Sequence, residues 1–255
     1  MRTCWPLLFL FGCESEALIA SEMEQVLFDG QAVVSTQLIA LEVLSHTFDE
    51  STVGTTTGTL RHGSSCGCPC IERIGDTPPY ILNLDYGTQG CLPLSGLLPG
   101  SLAGHVVLEH DGRITSATFD GLQLGLEHEI GGTLEGTVNP DVSEIVLSNT
   151  QLEASHYQVS LDTTTTIDAD AGLRIDGAAS VAGDSPSELT AEGVELPWDE
   201  IPPPCPSPSG GRMTLSAKAE VSVDFGDPGD GLVTVVRKGR ISQPTELCGY
   251  RTDLF

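Results

Sequence analysis

The sequence predicts a mainly β fold: an antiparallel β-meander or sandwich-like curved sheet with one N-terminal amphipathic helix. Two patterns carry that expectation. Beyond residue 80, apolar and polar residues alternate in short runs, and turn signals recur about every 8–12 residues, the spacing of a meander rather than of βαβ units. Almost nothing in that stretch has helical period. Composition agrees, because 29 glycines and 16 prolines supply turns, and 39% hydrophobic against 18% charged residues is a folded profile.

Residues 21–46 hold the helical period. Met23, Val26, Leu27, Val33, Val34, Leu38, Leu41 and Leu44 fall on one stripe. Ser21 and Glu24 make a capping box, and Gly30 weakens the middle. The polar face carries Glu22, Glu24, Asp29 and Glu42 and neither Lys nor Arg. Such a helix is expected to lay its stripe on the β body, not on a membrane surface.

Residues 47–65 are small and polar and suit an irregular connection or an edge strand. Strands are then expected at Tyr80–Tyr86 and Leu102–Leu108. His110-Asp111-Gly112-Arg113 is a hairpin turn by its Asp-Gly pair. Ile114–Phe119 returns, and Asp120-Gly121 is expected to turn again. Further strands are expected at Leu122–His128, Gly132–Val138, Ser143–Leu147, Tyr157–Leu161, Thr164–Asp168, Leu173–Val181 and Leu189–Val194. Six prolines between Pro197 and Pro208 bar residues 197–211 from a central strand, so they form a stiff connection, stapled to the body through Cys205.

The N-terminus carries the strongest motif. Met1-Arg2-Thr3 is a short basic start, Cys4–Phe11 is an apolar run of eight residues, and Leu10-Phe11-Gly12-Cys13 closes it. That is the charged, apolar and small-residue order of a secretory signal. Leu10 to Cys13 resembles the lipobox of bacterial lipoproteins. The resemblance implies removal of residues 1–12 and acylation of Cys13, and several chains at roughly 0.8 kcal/mol per buried methylene would hold a protein on a bilayer. The expected organisation is signal 1–12, lipidated tether and helix 13–50, and one β-rich domain over 51–255.

Ile81 to Gly87 and Ala219 to Gly226 echo one another, each ending in apolar-Asp-aromatic-Gly, with Cys70 ahead of the first and Cys205 ahead of the second. With the lipobox and helix, this layout resembles a group of uncharacterised envelope lipoproteins of Gram-negative bacteria. The resemblance covers residues 66–240 and implies a β fold without a known activity. An acylated Cys13 implies export and lipid anchoring to a bacterial membrane, with the outer membrane or cell surface as the expected place.

Charge excludes one class of partner. With 36 acidic and 11 basic residues and a net charge of −25, the chain repels phosphate backbones, so nucleic acid is not expected. Anionic lipid headgroups are equally unsuited, so membrane contact needs the anchor. The charge serves solubility, with a basic protein or a divalent cation as the alternative.

Without Cys4 and Cys13, Cys66, Cys68, Cys70, Cys91, Cys205 and Cys248 remain, an even set that reads as a disulfide framework in an exported chain. Cys70 with Cys91 is the first expected pair. Cys66, Cys68 and Cys70 alternate and could offer three thiolates to a metal, but their spacing is not that of structural zinc sites. Asp224, Asp227 and Asp230 around a glycine turn are candidates for calcium; Asp162, Asp168 and Asp170 are a second such set.

Other matches are weaker. Gly63 to Gly67 fits G-x-S-x-G by letters but lacks the strand and helix of a nucleophile elbow. Glu127-His128-Glu129 lacks a second zincin histidine. His105, Glu109 and Asp111 could approach one another at the 110–113 hairpin, while His46, His62, His110, His128 and His156 are scattered. The functional expectation is a non-enzymatic envelope lipoprotein with a structural or interaction role and an unidentified protein or envelope partner. The alternatives are a carrier of a hydrophobic ligand and a metal-dependent hydrolase.

Overall fold

A computed structural model describes residues 29–30, 32–47, 68–92, 101–124, 128–139, 144–154, 157–168, 171–182, 186–197, 209–216, 220–225, 232–237, 240–241 and 245–246. Within these, 29–47 is helical (α1). The strands before the midpoint are β1 (Cys70–Ile74), β2 (Tyr80–Cys91), β3 (Leu102–His110), β4 (Ile114–Leu124), β5 (His128–Asn139) and β6 (Glu144–Ala154). Then come β7 (Tyr157–Asp168), β8 (Gly172–Ala182), β9 (Ser187–Pro197), β10 (Gly210–Ser216) and β11 (Glu220–Phe225). Short pieces close the series: β12 (Leu232–Arg237), β13 (Arg240–Ile241) and β14 (Thr245–Glu246).

The strands form one meander in chain order from β1 to β13, with β14 also on β12. Every pairing is antiparallel. The mainly β fold with one helix near the N-terminus is therefore what the chain adopts. Pro197 ends β9, and Gly210 and Gly211 open β10 in the interior of the sheet, which corrects both ends of the expected 197–211 connection; β9 pairs with β10, and Ser209 N–H donates to Glu195 O at 2.7 Å.

Alternation assigns each strand a wet and a dry face. On β2, Tyr80, Leu82, Leu84 and Tyr86 are buried while Asp85 is exposed. On β7, Val159, Leu161, Thr163 and Thr165 are buried between more exposed neighbours. Curvature comes from bulges, which bend a strand and raise its twist. The register shifts at β2–β3, β3–β4, β4–β5, β5–β6, β6–β7, β8–β9 and β9–β10. Glycine makes the tightest of these possible. A Cβ on Gly132 (φ +109) would sit 2.0 Å from Gln151 O, so the two backbones approach as no side chain allows.

Bulges also correct two expectations. Asp120-Gly121 does not end a hairpin; it lies inside β4, opposite the register shift after Ala103. An Asp-Gly pair supplies the positive φ (Gly121, φ 62) that a bulge needs as readily as a turn does. Tyr157–Leu161 and Thr164–Asp168 are likewise one strand, β7. The 110–113 turn is as expected: Asp111 N–H donates to Ile114 O, and Asp111 Oδ1 accepts the amides of Arg113 and Ile114.

The helix departs most from expectation. The sequence predicts an amphipathic helix with a polar face, yet Asp29, Gln37 and Glu42 are buried along with Leu38, Leu41 and Leu44. The reason is that the sheet curls round α1 and meets it from several sides. Asp29 reaches Ser187 on β9, and Gln37 reaches Thr163 and Thr165 on β7. A Cβ on Gly136 of β5 would come within 2.7 Å of Leu44 Cδ1, and His46 lies beside Tyr86 of β2. Each buried leucine contributes about 1.5–3 kcal/mol, so α1 is the centre of the core rather than a brace on it. Residues 13–28, with the capping box and tether, lie outside the described residues.

Candidate functional site

Three polar stations punctuate α1. At its N-terminal end, Ser187 Oγ donates to Asp29 Oδ2 at 2.7 Å. In the middle, Gln37 acts as a two-way latch: Nε2 donates to Thr165 Oγ1 and Oε1 accepts from Thr163 Oγ1, both at 2.7 Å. The two threonines are next neighbours on the inward face of β7, so one carboxamide satisfies both hydroxyls and ties the helix to one height on the strand.

The third station lies near the C-terminal end and is chemically different. Glu42 and His46 are one helical turn apart, and Tyr86 faces them from β2. His46 Nε2 is 3.3 Å from Glu42 Oε1 and 3.4 Å from Tyr86 Oη. Glu42 is 0% exposed, Tyr86 2% and His46 8%. Both Glu42 oxygens lack a hydrogen-bond partner; among the described residues Ser35 Oγ is the other buried side-chain atom in that condition. Burial first, and the Glu42 charge second, push the Tyr86 phenol far above its ordinary range, so it is a neutral donor at physiological pH. Chemically, the station sets a carboxylate and a phenol at 3.3 and 3.4 Å from one imidazole nitrogen, His46 Nε2.

On the outer face of β6 to β9 lies a shallow groove of 480 Å³, lined by Asn149, Gln151, Asp162, Ser180, Glu188 and Thr190 among others. A bulge shapes it. Asn149 has φ 51, and Thr150 Oγ1 beside it donates to Glu135 O at 3.1 Å.

No family model, curated protein or solved structure matches this chain.

The residues singled out from sequence scatter across the described structure. Cys91 is bonded to Cys68, with Cα atoms 5.8 Å apart, which corrects the expected Cys70–Cys91 pair. Cys70 is itself disulfide-bonded. The physical reason is register: Cys70 begins β1 opposite Asp85, whereas Cys91 lies at the far end of β2, beyond β1. Cys13, Cys66, Cys205, Cys248, Asp227, Asp230, His62, His156, Asp170 and the 63–66 stretch lie outside the described residues.

Arg212 donates to Asp224 Oδ1 across β10–β11. That bond raises the Arg212 pKa. His105, Glu109 and Asp111 do not converge. His105 and Glu109 are four residues apart on β3, roughly 13 Å at 3.3 Å per residue. Asp111 is committed to the turn, and the amides of Ile114 and Arg113 hold its carboxyl below the ordinary range. His110 bonds Thr115 Oγ1 at 2.8 Å and stacks near Tyr80. Asp168 accepts the Ala171 amide, and Asp162 lines the outer groove.

Sequence reading missed the Glu42–His46–Tyr86 station. The signal was present in part. Ala32, Ile39, Ala40 and Val43 lie off the apolar stripe, and a helix apolar all round is a buried one. Glu42 and His46 also stand at the i, i+4 spacing that brings side chains together. Only the fold could add Tyr86.

Proposed function

We propose that this chain is a non-enzymatic envelope lipoprotein, held on a bacterial membrane through acylated Cys13, whose curled acidic sheet is an interaction surface. The observation that carries this reading is that α1 fills the interior of the curled sheet, with residues buried on every side of the helix. A carrier of hydrophobic ligands would need that interior as its pocket. What faces a partner is the outside.

That outside is polar. Glu72, Asp85, Glu109 and Asp120 stand exposed on β1 to β4, Asp162 on β7, and Glu188 and Glu192 on β9, with apolar residues turned inward. This is the reverse of a membrane-spanning barrel, whose apolar band faces lipid, so attachment is assigned to the anchor. Arg73, Arg174 and Arg212 are already engaged, Arg73 over the Tyr80 ring and the other two with carboxylates. The excess negative charge suits a basic protein surface and repels nucleic acid.

The test is acyl labelling of the full chain in a Gram-negative host, followed by membrane fractionation. Label on the chain, its presence with membranes, and loss of both in Cys13→Ser are the expected results. A Cys13→Ser chain that stays labelled and membrane-bound, or an unlabelled chain beginning at Met1 in the soluble fraction, would sink the proposal. Crosslinking on the labelled membranes then identifies the partner.

A further inference from the structure

Ordinary packing does not explain Glu42. A carboxylate removed from water needs pairing and hydrogen bonds to remain charged, and this one, fully buried, has no hydrogen-bond donor at either oxygen. Its neighbour is His46 Nε2 at 3.3 Å, and the same nitrogen is 3.4 Å from Tyr86 Oη. A settled carboxylate–imidazole pair would close to about 2.7–2.9 Å. Both separations from His46 Nε2 instead have the length of an edge between ligands in a tetrahedral site, about 3.3–3.4 Å for bonds of 2.0–2.1 Å.

The geometry points to Glu42, His46 and Tyr86 as three ligands of a single transition-metal ion inside the curled sheet. Two ligands come from one helical turn and the third from β2, so the ion would join α1 to the wall of the sheet. The C-terminal end of α1 adds a negative dipole, which favours a cation there. Carboxylate, imidazole and phenolate form a hard, mostly oxygen donor set carrying two negative charges, which suits iron(III) best, with zinc or cobalt(II) weaker. Binding replaces the Tyr86 O–H bond by an O–metal bond and releases that proton to solvent, so affinity falls as pH falls. Without the ion the buried phenol keeps its proton.

The experiment uses the full chain, made in iron-supplemented cells and washed with EDTA to strip metal from surface carboxylates. Metal content and visible absorption are then measured. Expected are one iron per chain and a phenolate-to-iron(III) charge-transfer band. Tyr86→Phe abolishes the band. Glu42→Gln and His46→Gln each weaken iron retention by more than about 100-fold, beyond the loss from an outer-shell partner. Asp162→Asn, in the outer groove, changes nothing. The proposal is overturned if the washed chain, also after refolding with iron(III) or cobalt(II), holds no stoichiometric metal. It is equally overturned if binding is the same in Glu42→Gln and His46→Gln. Should those two variants fail to fold, Tyr86→Phe decides: it keeps the ring and removes one oxygen, and a band that persists in it refutes the site.

Discussion

Gln37 and Glu42 lie on neighbouring turns of α1, equally hidden from water, and their surroundings are opposite. Gln37 has each side of its carboxamide matched by a threonine of β7 at 2.7 Å. Glu42 is a buried acid with no hydrogen bond, 3.3 Å from His46 Nε2, which itself lies 3.4 Å from the Tyr86 phenol. A satisfied polar group in a core adds stability and fixes position. An unsatisfied one costs stability, and proteins keep such groups where they serve something other than folding. The contrast separates a structural latch from a site within a single helix.

The largest effect should come from breaking the latch. Gln37→Leu leaves the hydroxyls of Thr163 and Thr165 buried without partners, and should lower the unfolding free energy by about 2–6 kcal/mol at 1–3 per orphaned group. Urea denaturation reads this directly. Adding Thr163→Val and Thr165→Val should restore much of the loss, since no orphan then remains. If the triple variant is as unstable as the single one, the latch is not what Gln37 does.

At the other station the sign should reverse. In metal-free protein, Glu42→Gln replaces a buried acid that has no hydrogen bond by a neutral amide and should raise stability by about 1–2 kcal/mol. A fall of similar size would mean that Glu42 and His46 form a stabilising ion pair, and the contrast between the two stations would collapse.

A smaller effect is expected in the wall of the sheet. Burial lowers the His110 pKa from its ordinary 6.5, against an opposing pull from Asp111. Folding therefore favours the neutral ring. Its contribution is complete above pH 6.5 and is lost as pH falls from there through the lower folded value. His110→Asn should flatten this shallow slope in thermal melts between pH 7 and 5. An unchanged slope would assign the pH dependence to other groups.

The β architecture was legible because inward and outward residues alternate so regularly, as in Tyr80, Leu82, Leu84 and Tyr86. Strand lengths were less so. Asp120-Gly121 and the break between Leu161 and Thr164 carry turn chemistry, but the chain uses the first as a bulge and runs straight through the second. The helix was legible as a helix, and its environment was not, since a stripe of leucines hides the apolar residues on its other faces. Choosing between Cys68 and Cys70 for Cys91 required the register of β1 on β2, which composition does not encode. The Glu42–His46 spacing was visible in the chain, and the Tyr86 that gives it meaning arrives only through folding.

Hydrogen exchange distinguishes a helix held inside the curled sheet from one lying on its surface. A helix enclosed by β2, β5, β7, β9 and β10 can open only when the sheet opens. Amides of residues 32–46 should therefore exchange as slowly as those of β7, at the free energy of global unfolding. Exchange of the helix well ahead of β7, in a chain whose sheet stays protected, would show a helix that detaches by itself, and would contradict its place at the centre of the fold.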